Sequence, residues 1–349
     1  MTALTAPGTA AAPTRRPSAS RGLVRTVLLL HRPALFVWAG LFVALAALLL
    51  WLYGPGTDAA AAAWREYDRC TKATCPYDQD AILRYKSYSL YASLALTFLP
   101  FLVAAWAGAS LIGREMETGT AQLAWTQSVS PARWLAVKLA VPAALVTAGT
   151  SVLVLLHRRM WVKSQGRIDT AKDWTDFLVF HANGPTTVAF ALSGLAVGAL
   201  AGIKLRRSLA ALGVSVVWMA GVRSALALAL PYLWPPVRTV TSLTHDSPTS
   251  LGITVNEGLL TSTGARLADP HCGSSHSSEC RALYDRLDAV SFYTDSHPVS
   301  HYWPLQFVAT GVVLALTALA LLAAFLLLKH RTGSAPKHHT TGAPKQAQR

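Results

Sequence analysis

The chain has 349 residues, of which 52% are apolar and only 14% charged, with a formal charge of +14. A soluble domain carries about 25% charged residues and a disordered chain is poor in apolar ones, so the composition excludes disorder and argues against a soluble globe. The apolar residues are also clumped into long uncharged runs, which sets the class before any motif is read.

Residues 1–20 are rich in Ala, Thr, Pro and Ser and predict a disordered N-terminus. Over residues 21–32, Leu23, Val24, Val27, Leu28 and Leu30 lie among arginines until Pro33 breaks the pattern, as in a short helix resting on a membrane surface. Six runs then approach the roughly 20 helical residues that cross a hydrocarbon core of about 30 Å. They fall at about 35–53, 88–112, 134–156, 186–203, 209–231 and 305–328. The first is longer than the apolar core of a signal peptide, about 7–15 residues, so it reads as an uncleaved span despite the alanines at 59–63. The fourth, TTVAFALSGLAVGALAGI, is short and rich in Ala and Gly; KLRRS follows it and begins a tight hairpin into the fifth. Gly194, Gly198 and Gly202 share one face of that fourth run, which suits close helix packing, within the chain or in a dimer.

The fifth run contains Arg223, which costs about 2.5–3.5 kcal/mol at a helix centre. Its nine Leu and Val residues return about 4 kcal/mol, so the run still spans. Arg223 either snorkels outward, pairs inside the bundle or faces a substrate path.

Alternate assignment of the connecting segments puts 16 basic and two acidic residues, Glu115 and Glu117, on one side. The segments 54–87, 157–185 and 233–303 on the other side carry 14 basic and 15 acidic residues. By the positive-inside rule the basic side is cytoplasmic, with both termini and the basic tail 332–349 inside. This spread of charge also excludes nucleic-acid binding: no helix or groove gathers it, and attraction to anionic lipid accounts for it. All four cysteines, Cys70, Cys75, Cys272 and Cys280, fall on the outer side and predict local disulfides. Spacing gives His271, Cys272, His276 and Cys280 no strong metal-site pattern. Aromatics such as Trp51, Tyr53, Tyr88, Trp234 and Trp303 mark the outer headgroup level. Residues 173–181 predict a helix on the outer surface, and 233–303 is too small and polar to be read as a separate domain.

The chain has no G-x-x-x-x-G-K-[ST], H-E-x-x-H or G-x-S-x-G, so it binds no ATP of its own by these motifs and carries no hydrolytic one. The runs hold no carboxylate, which weighs against a proton-driven transporter and an intramembrane aspartyl protease. The informative stretch is GREMETGTAQLAWTQSVSPARWLAVKL at 113–139. Glu115 and Glu117 follow the second span directly. Thr118, Gly119 and Thr120 bend the chain, Leu123 and Trp125 form an apolar edge, and Ser130 with Pro131 starts the next helix. A plain loop needs none of these.

That stretch resembles the signature region of ABC type-two transporter permeases of the actinobacterial branch, with an acidic-x-acidic-x-Gly-Thr turn, a polar stretch, then Ser, Arg, Trp and Lys at the next span. The six-span layout, the small-residue fourth span and the Tyr-Trp-Pro-Leu-Gln start of the last span, Tyr302 to Gln306, resemble it too. The resemblance implies an all-α, six-span permease domain over residues 21–331. It implies a coupling role toward an ATP-binding subunit for Glu115, Glu117, Thr118, Gly119, Thr120, Trp125 and Ser130. It further implies a bacterial plasma-membrane location, a second permease copy as partner, and ATP and Mg held by the partner subunit, with no cofactor in this chain. The alternative is a membrane-anchored sensor or assembly protein whose outer segment binds a partner.

Overall fold

The computed structural model describes residues 19–333 except 73, 127–128, 244–249, 251 and 271–276. The predicted N-terminal disorder and basic tail lie outside this range, apart from its edges. Among the described residues, six helical stretches are long and apolar enough to cross a membrane, and each contains one of the six predicted runs.

Helix α1 (Ala19–Leu30) stops before His31, and α2 (Arg32–Trp51) opens with Pro33 in its first turn, where the missing N–H costs nothing. The expected short helix ahead of the first span is therefore a separate element. A π-helical turn at Leu52–Gly56 ends α2, where Pro55 removes a donor and Gly54 leaves the helical angles. The Thr57 hydroxyl donates to the Leu52 carbonyl at 2.6 Å, and α3 (Thr57–Asp68) continues beyond the kink. A Cys70–Cys75 disulfide then closes a short loop. Cys280 is also disulfide-bonded, while Cys272 lies outside the described residues.

Helix α4 (Gln79–Trp106), capped by Asp78, runs through a π-helical segment at Ala107–Gly113 into α5 (Arg114–Glu117). After α6 (Thr120–Thr126) come the third span, α7 (Pro131–Ser164), and α8 (Phe177–Ala182). The hairpin of α9 (Pro185–Leu205) and α10 (Ser208–Ala229) turns at Arg206, which caps α9 in the left-handed region. The predicted helix at 173–181 is confined to α8, and Val179 to Ala182 are buried rather than lying on the surface.

The weakest predicted span is the centre of the bundle. About 72% of the apolar stretch of α9 is buried, against 17% for the first span. A Cβ at Gly194 would lie 2.7 Å from the Pro100 carbonyl, at Gly198 2.7 Å from Ala107 and the Gly108 nitrogen, and at Gly202 2.9 Å from the Gly113 nitrogen. The glycine face thus packs α9 against the second span of the same chain. Gly108 in turn lets α10 approach from the other side, with Ser215 and Ala211 at the place its Cβ would take.

The segment before the last span is folded. Strands β1 (Val237–Ser242), β2 (Ile253–Thr261), β3 (Arg266–Leu267) and β4 (Ala289–His297) form an antiparallel sheet in the order β1-β4-β2-β3. Helix α11 (Ser278–Arg286) sets Cys280 and Tyr284 against Leu259 and Phe292. Arg238 faces Asp295 across the β1–β4 pair and donates two hydrogen bonds, at 2.7 and 2.8 Å, which hold the carboxyl below the usual range. The segment 233–303, read from sequence as too small and polar for a separate domain, holds regular structure: short alternating strands bury one face under a single helix. The last span, α12 (Tyr302–Gly333), follows directly. The membrane part is all-α with six spans, and the sheet is an addition outside it.

Candidate functional site

The second-to-third connector is a small knot built on its own hydroxyls. Gly119 has φ +74 and reverses the chain between α5 and α6, a conformation that side chains resist. Thr118 Oγ1 donates to the Arg114 carbonyl at 2.9 Å and shares a 3.1 Å hydrogen bond with Thr120 Oγ1. A Cβ at Gly119 would meet nothing within 4 Å, so glycine is required there by the backbone angle rather than by space.

Both connector carboxylates point back into the chain. Glu115 accepts a hydrogen bond from Lys138 Nζ on α7, and that ammonium also donates to the Leu111 carbonyl at 3.2 Å and lies 5.1 Å from the Trp134 ring centroid. The Lys138 side chain is 5% exposed and that of Glu115 15%, so this is a buried pair joining the second and third spans. Glu117 Oε2 accepts from the Ser208 nitrogen at 3.0 Å and its hydroxyl at 2.7 Å, at the first turn of α10. A carboxylate there satisfies orphan N–H groups and suits the positive end of the helix. The connector is therefore tethered to spans two, three and five at once.

The remaining predicted residues sit around this knot. Ser130 caps α7 by accepting from the Arg133 nitrogen at 3.4 Å, with Pro131 in the first turn. Trp125 packs edge-on against Trp134, ring centroids 5.7 Å apart, and locks α6 onto α7. Leu123 stands out, 63% exposed on α6. Nearby, Arg331 of α12 donates to the carbonyls of Ile203 and Lys204, so the last span is pinned to the end of α9 on the same side.

At the opposite end lies a polar layer that the sequence reading missed. His157 of α7 shares hydrogen bonds with Ser93 of α4 at 2.9 Å and with Asn183 at 2.5 Å. Gln306 of α12 donates to the Phe180 carbonyl at 2.6 Å and accepts from Thr186 at 2.6 Å. Isolated polar residues in four separate segments give no signal in sequence until the fold gathers them. Gly184 belongs to this layer, because a Cβ there would overlap the Gln306 amide at 2.1 Å.

Arg223 lies beside this layer, 5% exposed. Its guanidinium carbon is 5.5 Å from the Phe177 ring centroid and 5.0 Å from that of Phe190. Neither it nor His181, 1% exposed, has a side-chain hydrogen-bond partner among the described residues. Among the described residues, the bundle supplies Arg223 with aromatic faces and no carboxylate partner.

A family model described as ABC-2 membrane transporter related matches residues 39–230, which is more than half of the chain and contains the connector. No curated protein and no solved structure matches the chain.

Proposed function

Because the chain belongs to the ABC-2 membrane transporter related family, we propose that it is the permease subunit of an ATP-driven exporter in a bacterial plasma membrane. It works as a dimer of permease chains with two separately encoded ATP-binding subunits, which hold ATP and Mg. Both termini and the connector face the cytoplasm, as the excess of basic residues on that side favours.

The observation that carries this reading is the triple tether of the connector. Glu115–Lys138 and Glu117–Ser208 join α5 to the third and fifth spans, and α5 continues the second. A force applied to α5 and α6 by an ATP-binding subunit reaches three spans through short, stiff contacts. That is the requirement for rigid-body switching between two packed states. A sensor with a partner-binding outer domain would not need this construction on its inner side. The acidic pair serves the tether, so the docking contact is assigned to the exposed apolar edge at Leu123 and to the backbone shape set by Gly119.

The test is co-purification of an ATP-binding subunit from the native membrane, and stimulation of its ATPase. Leu123→Asp places a charge on the exposed edge. Gly119→Val imposes a left-handed angle on a β-branched residue, at about 1–2 kcal/mol or more. Each variant is expected to insert normally and to lower co-purification and ATPase stimulation at least tenfold. Normal levels of both in the two variants would refute the coupling role.

A further inference from the structure

We propose that Arg223 and His181, walled by Phe177 and Phe190, form a binding site for one anionic group, a carboxylate or a phosphate ester, carried on an apolar body. Equating that ligand with the exported cargo rests on the transport reading; the binding itself does not.

Arg223 has five N–H donors, and none of its three nitrogens meets an acceptor among the described residues. At 5% exposure it does not reach out to solvent. The six apolar runs contain no carboxylate to serve as counter-ion. The nearest acid before α8, Asp176, is committed: it accepts from the Leu178 and Val179 nitrogens and pairs with Lys172 at 2.7 Å. What the protein does supply is two aromatic rings. They stabilise the cation over their faces and leave the donor-bearing edge of the guanidinium for another group.

His181 makes the second, independent observation. It is 1% exposed, and both ring nitrogens lack partners. It touches the same two rings, with centroids 4.5 Å from Phe177 and 6.4 Å from Phe190. Burial, and then the Arg223 charge, hold its pKa well below the ordinary histidine value, so the ring stays neutral and offers a single N–H. Two donors left open in one aromatic box match an oxyanion, and an ammonium or a neutral amide fits them poorly.

The surroundings set the rest of the ligand. Phe190 belongs to an apolar cluster with Met219, Leu226 and Val313, so what lies behind the anionic group must be apolar. Of the two rings, Phe190 is fully buried and Phe177, on the six-residue α8, is 47% exposed, so Phe177 is the wall nearer the surface.

The experiment titrates purified permease in a non-ionic detergent and follows tryptophan fluorescence. The probes are dodecanoate, dodecyl phosphate, dodecan-1-ol, acetate and inorganic phosphate. At least one of the two anionic amphiphiles is expected to bind saturably, at least tenfold more tightly than the alcohol and than both small anions. Arg223→Gln is expected to weaken that binding at least tenfold, and Arg223→Lys to retain part of it. His181→Phe preserves ring volume and serves if Arg223→Gln does not insert; it is expected to reduce the preference for anion over alcohol. Equal binding of alcohol and anionic amphiphiles, small anions binding as tightly as the amphiphiles, or unchanged binding in whichever of these variants inserts would each overturn the proposal. No ATP-binding subunit is needed, so failure here and failure of the coupling test are separate results.

Discussion

Removing Glu115 should destabilise the permease through the charge it leaves behind. Lys138 is 4% exposed, and among the described residues its partners besides Glu115 are the Leu111 carbonyl and the Trp134 face. Breaking a buried pair by deleting one partner costs about 3–5 kcal/mol, most of it from the uncompensated charge. A cleft of about 580 Å³, lined by Arg114, Glu115, Trp134 and Lys138 among others, adjoins the pair. Water entering it places the cost at the lower end, about 3 kcal/mol, or more than a hundredfold in the unfolding equilibrium. Lys138→Met alone strands Glu115 and should also destabilise. The double variant Glu115→Ala with Lys138→Met removes both charges and should lie within about 1 kcal/mol of the unmutated chain, because an apolar replacement of a buried pair is often neutral. Denaturant unfolding in one fixed detergent gives the four corners of the cycle. If the two single effects simply add, within about 0.5 kcal/mol, the pair is not an energetic unit and the tether argument fails.

Gly198→Leu should prevent a monodisperse, folded product on size exclusion, since even its Cβ would sit 2.7 Å from Ala107 and Gly108, whereas Gly213→Leu, where a Cβ meets nothing within 4 Å, should be tolerated. The four-stranded sheet should lose stability in acid: Arg238 depresses the Asp295 pKa, so the pair stabilises the fold above the unfolded Asp value of about 3.9 and is lost as pH falls through the lower folded value. Limited proteolysis across pH should therefore show Asp295→Asn weaker than the unmutated chain at neutral pH and equal to it below both values. Single cysteines at Arg207 and at Glu257, in a background with the four native cysteines replaced, should respectively resist and react with a membrane-impermeant thiol reagent in whole cells; the opposite pattern would overturn the orientation.

The six spans were legible because long apolar runs have few alternatives to crossing a bilayer. The fourth ranked lowest in sequence and is the most enclosed in the structure, and one cause explains both. A central helix meets other helices on all sides, so it needs small residues for close approach more than large ones for contact with lipid. The four-stranded sheet was missed for a different reason. VRTVTS and AVSFYTDSH alternate over only a few residues, and β2 and β4 pair across a gap of nearly thirty residues. Pairing of that kind is a tertiary fact, and composition rich in Ser, Thr and Gly conceals it.

The connector shows where sequence argument stops. Two acidic residues alone among sixteen basic ones must have partners, and that much follows from charge counting. Which partners they have depends on where Lys138 and Ser208 lie, 23 and 91 positions further on. Both turn out to be in the same chain: Glu115 is paired and largely covered, while Glu117 bonds Ser208 and stays exposed. Among the described residues of the connector, Leu123 is the large apolar side chain left exposed, and it stands beside the reversal at Gly119 and the exposed polar groups of Arg114, Glu117, Thr118, Thr120 and Gln122. A docking contact made through Leu123 depends little on ionic strength, because screening acts on exposed charges over about 8–10 Å and leaves apolar burial nearly unchanged. Association with the ATP-binding subunit should therefore survive high salt, where a contact made through Glu115 and Glu117 would weaken.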